Sequence, residues 1–275
     1  PCVIICLSVV RFLKKQPICA IVGPTASGKT ALGVELALQV DGEIINCDSV
    51  QIYREIQIAT AKPSEEEKRG VLHHLIDYID PNVNYTAADW ARDAAGNIRE
   101  IESRGKPPIL VGGTGFYLRT LCQPLFDSPK TDGVLRQKLR AIKENRGPEH
   151  LHKMLQRLDA ASAERLFPRD YVRVIRALEV FFQTGERLSE RQLDRLPSPE
   201  FADRIILFVL DPPRDELYEK INLRTEKHFA EGLVDEVMRQ LMSGKEAVVY
   251  VVRCGDEVRC AKVYKEADKR SFRQA

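Results

Sequence analysis

The chain has 275 residues, of which 44% are hydrophobic and 30% are charged, proportions that are ordinary for a soluble globular protein. Its formal net charge of +2 excludes a globally basic nucleic-acid-binding surface, so any such surface must be local. The seven cysteines are odd in number and include no C-x-x-C pair, which argues against a disulfide framework or a cysteine zinc site. Composition therefore predicts a protein of the reducing cytoplasm with one large domain or two smaller ones.

Residues 1–16 are predicted to be an N-terminal extension or a cloning remnant. The apolar run Pro1–Val10 is too short to span a bilayer. Its basic neighbours follow the run, whereas a secretory signal carries its positive charge in front. No contact with a membrane is expected, and a weak export signal is the alternative.

The strongest motif is GPTASGKT at residues 23–30, which fills every fixed position of the phosphate-binding loop pattern G-x-x-x-x-G-K-[ST]. The β-branched run Ile18–Val22 before it predicts a buried parallel strand, and apolar residues spaced along one helix face follow it up to Val40. In this context the loop amides and a lysine would hold a diphosphate or longer phosphate, and a threonine would reach its Mg²⁺. The predicted phosphate-binding residues are Gly23, Pro24, Thr25, Ala26, Ser27, Gly28, Lys29 and Thr30, with Thr30 also as the metal ligand.

Polar residues follow two further strand candidates. The run Glu43–Cys47 ends in Asp48–Gln51, and a later strand breaks into the glycine turn Gly112–Gly115 with Thr114 at its tip. Open α/β sheets bind ligands at the carboxyl ends of their strands. Asp48 is therefore a candidate catalytic carboxylate, with a helix N-cap or turn aspartate as the alternative.

A third strand candidate begins at His73 and His74 and closes at Pro81. The histidine pair lacks other metal ligands at useful spacing, so we expect a structural role, with a metal site as the alternative. An amphipathic helix is predicted from Tyr85 to Ser103.

The character of the chain changes between Asp132 and Arg195, where helical periodicity dominates and arginines are frequent. Arg173 and Arg176 share one predicted helix face, for which RNA contact and a solvated surface are both open. A buried strand is predicted again at Arg204–Leu210, followed by a helix that runs on to Leu241.

The predicted fold class is α/β, a P-loop parallel sheet flanked by helices with an inserted arginine-rich helical domain. The core would comprise residues 17–125 and 200–243, and the insertion residues 126–199.

Seven runs carry a family resemblance, and they are GPTASGKT, DSVQIY, ATAKP, HHLID, ILVGGTGFY, VRVIRALEV and LYEKINLR. In this order, over about residues 18–243, the chain resembles the tRNA dimethylallyltransferases, also called tRNA isopentenyltransferases. The resemblance implies transfer of a dimethylallyl group from dimethylallyl diphosphate to the exocyclic amine of the adenosine next to the anticodon of tRNA.

The same resemblance implies roles for single residues. Asp48 would accept the amine proton, Thr114 would help to hold the amine or the phosphate, and Arg224 would close on the diphosphate, with Mg²⁺ as cofactor. The implied partner is the anticodon stem-loop of tRNA, bound by a cytoplasmic monomer. The implied tRNA contacts are Asp48, Ser49, Val50, Gln51, Thr114, Arg136, Arg173 and Arg176.

Residues 244–275 depart from the family. The runs Ala247–Val252 and Val258–Tyr264 resemble the opening strands of an atypical RIO-type protein kinase, with Lys262 at the position of its nucleotide lysine. No catalytic aspartate loop follows, so kinase chemistry is not expected there. We predict a foreign two-stranded hairpin, which would make the chain a chimera.

Three functions remain open from the sequence. The first is an active tRNA prenyltransferase. The second is a P-loop enzyme acting on free adenine nucleotides, either an adenylate prenyltransferase or a nucleotide kinase. The third is an inactive remnant. The arginine-rich stretch favours tRNA, and the glycines that follow the strand Ile109–Val111, where a nucleotide hydrolase carries an acidic residue, disfavour an NTPase.

Overall fold

The computed structural model describes residues 16–54, 61–126, 129–194, 196–230, 236–243, 247–254 and 257–264. Beyond Leu223 it describes the backbone alone, except at Arg253. The chain divides into two compact units. The first contains the described residues of Pro1–Leu121 and Glu200–Ala275, and the second is Cys122–Pro199. No described helix is long and apolar enough to cross a membrane.

A five-stranded parallel sheet in the order β3-β2-β4-β1-β5 organises the first unit. Its strands are β1 (Ile18–Val22), β2 (Glu43–Asn46), β3 (His73–His74), β4 (Pro108–Gly112) and β5 (Ile205–Val209). In register, Cys19 of β1 lies opposite Ile109 of β4 and Ile206 of β5. Strands β2 and β4 are buried along their whole length, as parallel strands covered on both faces should be. The predicted α/β fold with a parallel sheet is confirmed.

Two of the predicted strands differ from expectation. Strand β3 ends at His74 because Leu75 and Asp77 adopt positive φ values of 57° and 56°, which interrupt an extended backbone. Strand β5 was expected to be buried, but Leu207 and Val209 are exposed. The expectation was wrong because β5 is an edge strand whose one described neighbour is β1.

Helices of the first unit flank this sheet. They are α1 (Lys29–Val40), α2 (Glu65–Lys68), α3 (Ala87–Ser103), α4 (Gly115–Cys122) and α10 (Arg214–Ala230). Helix α3 starts later than predicted because Thr86 caps it, in a capping box with Asp89.

The inward side of α1 is narrower than its apolar pattern suggests. Gly33, Val34 and Ala37 are buried, whereas Leu32 and Leu38 are exposed. A Cβ atom added at Gly33 would lie 2.6 Å from Val111 Cγ2, so the helix packs on β4 through a glycine. The apolar face predicted for this helix is therefore only partly buried.

The second unit is helical. Its helices are α5 (Gly133–Arg146), α6 (Pro148–Leu158), α7 (Ala160–Arg165), α8 (Tyr171–Thr184) and α9 (Leu188–Arg191). Leu139, Leu151, Leu155 and Leu178 are among the residues of its buried core. Removing such apolar surfaces from water is what holds small helices together, because isolated helices of this length are marginal.

A separate antiparallel sheet follows α10. It is formed by β6 (Glu236–Ser243), β7 (Ala247–Cys254) and β8 (Glu257–Tyr264). The predicted pairing of β7 with β8 is observed, but the hairpin gains a third strand. The predicted helix up to Leu241 is wrong, since α10 ends at Ala230 and β6 pairs with β7. Cross-strand pairing overrides the weak helical preference of this segment.

Candidate active site

Three strand ends meet at the centre of the parallel sheet. Cys47 N donates to Val111 O at 2.8 Å, and Thr114 N donates back to Cys47 O at 3.0 Å. A Cβ atom on Gly113 would lie 3.5 Å from Gly23 O and 3.7 Å from Asp48 Oδ2. The loop after β1, the turn after β2 and the turn after β4 therefore share one location, as the order of the strands requires.

The loop after β1 is built to present its backbone. Gly28 adopts φ +86° at the start of α1, and Ala26 also has a positive φ of 65°. Lys29 Nζ donates to Pro24 O at 2.6 Å, so the lysine folds back over the loop. Ser27 Oγ is buried and has no hydrogen-bond partner among the described residues. An orphaned hydroxyl in such a loop is suited to a phosphate oxygen or to an ion held by one.

Charge in the loop is only partly balanced. Burial lowers the pKa of Lys29, and the nearby Asp48 carboxylate offsets part of that effect. An ammonium that has lost water gains strongly from an anion placed beside it. The loop is therefore a favourable place for the negative charge of a diphosphate.

Asp48 serves two purposes with its two oxygens. Oδ1 accepts from Val50 N at 2.9 Å and from Gln51 N at 3.4 Å, which closes a local turn. Oδ2 lies toward Gly113 and the phosphate loop. The turn-aspartate interpretation is correct for Oδ1, and the catalytic role predicted for Asp48 stays a prediction.

Thr114 is occupied by the neighbouring turn. Its Oγ1 accepts from Ser49 N at 2.9 Å and donates to Ser49 Oγ at 3.2 Å. These bonds fix the backbone next to Asp48. In this structure Thr114 is a positioning residue, and its predicted contact with the amine or the phosphate stays a prediction.

Lys62 is a supporting residue that sequence reasoning overlooked within the run ATAKP. Only 8% of its side chain is exposed, and Nζ lies 2.5 Å from both Tyr53 O and Asp77 Oδ1. Gln51 is held in a similar way, since its Nε2 donates to Ala61 O at 2.9 Å. A buried lysine needs such partners. The lysine within the short run ATAKP was therefore the signal by which the sequence could have identified this residue.

The backbone of β2 just before Asp48 is held by buried polar contacts. Asn46 Nδ2 donates to Leu75 O at 3.0 Å, and Trp90 Nε1 donates to Asn46 O at 3.0 Å. Trp90 in turn stacks on Tyr117 with ring centroids 4.8 Å apart. Such contacts restrict the movement of the strand end that carries Asp48.

The histidine pair has structural contacts. His73 Nδ1 lies 2.9 Å from Val71 O, and His74 Nε2 lies 2.7 Å from the buried Glu43 Oε2. Arg104 also contacts Glu43 Oε2 at 2.7 Å. Burial opposes ionisation of Glu43, but the hydrogen bonds from Arg104 and His74 outweigh it and lower the pKa of Glu43.

Two of the arginines predicted to contact tRNA meet one buried carboxylate in the second unit. Arg136 Nη2 and Arg176 Nη1 lie 2.6 Å and 2.8 Å from Glu179 Oε2, and Glu179 is fully buried. Asp132 N donates to the other oxygen of Glu179 at 3.1 Å. Sequence reasoning missed Glu179 because it lies within the apolar run of α8 and gives no motif.

The remaining predicted arginines differ in their surroundings. Arg173 is 75% exposed and pairs with Asp170 at 2.9 Å, so it lies at the surface. Arg224 is placed within α10, but its side chain lies outside the described part of the structure. The roles predicted for both remain predictions.

A metal ion here would depend on oxygen ligands. The described residues contain no group of three His, Cys, Asp or Glu side chains able to hold an ion by themselves. Mg²⁺ characteristically uses few protein ligands together with substrate phosphates and water. The half-buried Thr30, the unpartnered Ser27 Oγ and Asp48 are residues of the right chemistry for that arrangement.

Comparison with known proteins gives a consistent result. The profile of the family described as "IPP transferase" matches residues 51–264. The chain is 48% identical over 230 residues to the tRNA dimethylallyltransferase of Geobacter sulfurreducens, covering 84% of this chain and 74% of the relative. It is 46% identical over 239 residues to that of Geobacter metallireducens, covering 86% and 76%.

Solved structures agree with the sequence matches. A eukaryotic dimethylallyltransferase acting on tRNA superposes with a TM-score of 0.64 at 30% identity, covering 78% of this chain and 53% of that one. The tRNA isopentenylpyrophosphate transferase of Bacillus halodurans gives a TM-score of 0.51 at 40% identity, covering 80% and 68%.

Proposed function

Because the chain belongs to the IPP transferase family, we propose that it transfers a dimethylallyl group from dimethylallyl diphosphate to an adenosine of tRNA. The acceptor is the exocyclic amine of the adenosine next to the anticodon. The observation that carries the proposal is the meeting of the phosphate loop, Asp48 Oδ2 and the glycine turn after β4. The loop after β1 would supply an anion site, and the turn after β2, on the other side of β4, would supply a base.

In the proposed reaction the bond between the prenyl carbon and the diphosphate oxygen breaks as a bond from the amine nitrogen to that carbon forms. The leaving diphosphate takes up negative charge. The loop amides and Lys29 are placed to stabilise that charge, and Lys29 recovers the interactions that burial removed. Thr30 would hold Mg²⁺, which would supply further charge stabilisation to the diphosphate when bound.

The amine must lose a proton as it becomes alkylated. We assign this proton to Asp48 Oδ2, because Oδ1 is engaged in its own turn. A positioned base of this kind contributes about 10²- to 10⁴-fold to a rate. Thr114 acts through Ser49 by keeping that turn in place.

The tRNA partner follows from the names of the relatives, which act on tRNA. We propose that the anticodon stem-loop is bound, that the chain acts as a cytoplasmic monomer, and that the exposed Arg173 contributes a phosphate contact. The target base must leave its stack to reach a donor held at the loop, which costs a few kcal/mol.

One assay separates this function from its alternatives. The purified chain is incubated with radiolabelled dimethylallyl diphosphate, Mg²⁺ and either unmodified tRNA or AMP. Label on tRNA supports the proposal, label on AMP supports an adenylate prenyltransferase, and no label supports an inactive remnant. Lys29→Ala should abolish the label, whereas Lys153→Ala, at an exposed position of α6, should not.

A kinase origin for residues 244–275 also stays a prediction. The family profile reaches residue 264, and β7 pairs with β6 as well as with β8, which both argue for continuity with the preceding chain. Limited proteolysis decides the matter, because a foreign hairpin should be cut early near Gly244 and leave a folded core. Resistance at that position together with loss of donor binding on truncation would reject the foreign origin.

A further inference from the structure

A depression of about 650 Å³ opens on the second unit, where the start of α5 lies beside the end of α8. Its lining combines two lysines, Lys130 and Lys138, with the apolar Val134 and Phe182 and the amide of Gln183. Cations bind phosphate, aromatic rings stack on bases, and amides bond to base edges. This set of side chains matches the chemistry of a single unstacked nucleotide.

Phe182 provides the stacking surface. The residue is 49% exposed, so part of its ring is open to solvent. Phe181 holds it in place through an edge contact, with ring centroids 6.0 Å apart and planes at 78°. A ring that is both exposed and held in orientation loses little freedom when a base stacks on it.

Gln183 provides a hydrogen-bonding group of fixed orientation. Its Nε2 donates to Lys130 O at 3.1 Å, and this bond assigns the positions of the amide nitrogen and oxygen. Its Oε1 has no hydrogen-bond partner among the described residues. A buried acceptor without a partner is costly, and an N–H group of a base edge would satisfy it.

The charge around the depression favours an anionic chain. Asp132 is the one carboxylate in the lining, and its Oδ1 is engaged by Val134 N and Leu135 N at the start of α5. Arg176, which pairs with Glu179, reaches the same rim through a bond from Nη2 to Pro129 O at 2.7 Å. The depression is therefore continuous with the arginine pair described above.

We propose that this depression binds one unstacked nucleotide of the tRNA, with its phosphate on Lys130 and Lys138 and its base on Phe182. The inference rests on the proposed function, because it takes tRNA as the substrate. It adds a site on the second unit, distinct from the place where the phosphate loop and Asp48 meet.

The test measures tRNA binding by the full chain at several salt concentrations, with the KM for the prenyl donor as a second readout. Phe182→Ala should weaken tRNA binding by about five- to a hundredfold through loss of stacking. Phe182→Leu keeps the apolar contact but should weaken binding almost as much. Phe167→Ala is the control, since Phe167 is 80% exposed on the same unit outside the depression.

Lysine variants test the phosphate contact. The salt dependence is the slope of the logarithm of the tRNA binding constant against the logarithm of the salt concentration. Lys138→Ala should reduce the magnitude of this slope by about one, while Lys153→Ala should change it less. The KM for the donor should not change in any of these variants. Wild-type tRNA binding in the Phe182 and Lys138 variants would overturn the site and leave the proposed function intact. Full binding in Phe182→Leu alone would also overturn it, because packing and not stacking would then be the cause. A wild-type chain that fails to bind tRNA would overturn both.

Discussion

Glu179→Gln is the substitution whose consequence the structure defines best. The side chain is fully buried in the second unit and faces the guanidinium groups of Arg136 and Arg176. Glutamine keeps the shape and an acceptor for Asp132 N, but it removes the negative charge. The two arginines would then lie close together without the anion that now separates them.

The magnitude follows from the exposure of the partners. Removing one member of a fully buried ion pair costs about 3–5 kcal/mol. Arg136 and Arg176 retain 30% and 28% exposure, so water recovers part of their solvation. We expect a loss of about 2–3 kcal/mol in the free energy of unfolding of the second unit. For a unit of this size that corresponds to a fall in Tm of roughly 10–20 °C.

The assay uses a feature of the composition. The chain has a single tryptophan, Trp90, which is fully buried in the first unit. Thermal unfolding is followed by tryptophan fluorescence, which reports the first unit, and by far-ultraviolet circular dichroism, which also reports the helices of the second. Glu179→Gln should lower the Tm measured by circular dichroism more than the Tm measured by tryptophan fluorescence. Glu190 forms an exposed ion pair with Arg187. Glu190→Gln should therefore change the free energy of unfolding by no more than about 0.5 kcal/mol in either signal. If Glu179→Gln also changed the free energy of unfolding by no more than about 0.5 kcal/mol, the reasoning would be refuted.

Three further outcomes are expected. Asp48→Asn should leave donor binding nearly unchanged while prenyl transfer falls at least about 10²-fold, and near-normal turnover would reject Asp48 as the base. Gly112→Ala should prevent stable folding, because its Cβ atom would lie 2.0 Å from Cys47 O. The control is Gly96→Ala in α3, whose Cβ atom would meet nothing within 4 Å and which should stabilise the fold by about 0.5–1 kcal/mol. Equal melting temperatures for the two variants would contradict this prediction. Burial opposes ionisation of Asp159, but hydrogen bonds from two serines outweigh it and lower the pKa of Asp159. The stability that the ionised carboxylate contributes should therefore be complete above the pKa of the unfolded chain, about 3.9. It should be lost as the pH falls through the lower pKa of the folded state. Asp159→Asn should remove that part of the acid dependence in urea titrations, and an unchanged pH profile would count against it.

Local patterns in the sequence were sufficient for the central features. The phosphate loop, the strand before it and the helix after it are encoded within about residues 18–40, where each residue needs only its neighbours. The position of Asp48 at a strand end follows the same logic, because β2 is short, apolar and bounded by turns. The family resemblance extended this to the reaction, and the roles that it implies for single residues stay predictions.

Other features depended on residues far apart in the chain. The pairing of Glu179 with Arg136 spans 43 positions, and the bond from Ser49 N to Thr114 Oγ1 spans 65. Neither leaves a pattern in the sequence, since a buried glutamate and a bonded threonine look like any others. The exposure of β5 and the strand β6 in place of a helix depend likewise on which strands become neighbours.

Sequence therefore determined the fold class and the phosphate loop, while tertiary structure decided which polar groups are bonded, which arginines are exposed and where the second unit forms a depression. The physical reason is the range of the interactions. Backbone preference, capping and hydrophobic periodicity act within a few residues, so they can be recognised along the chain. Ion pairs and buried hydrogen bonds act across space, and only the folded chain brings their partners within reach.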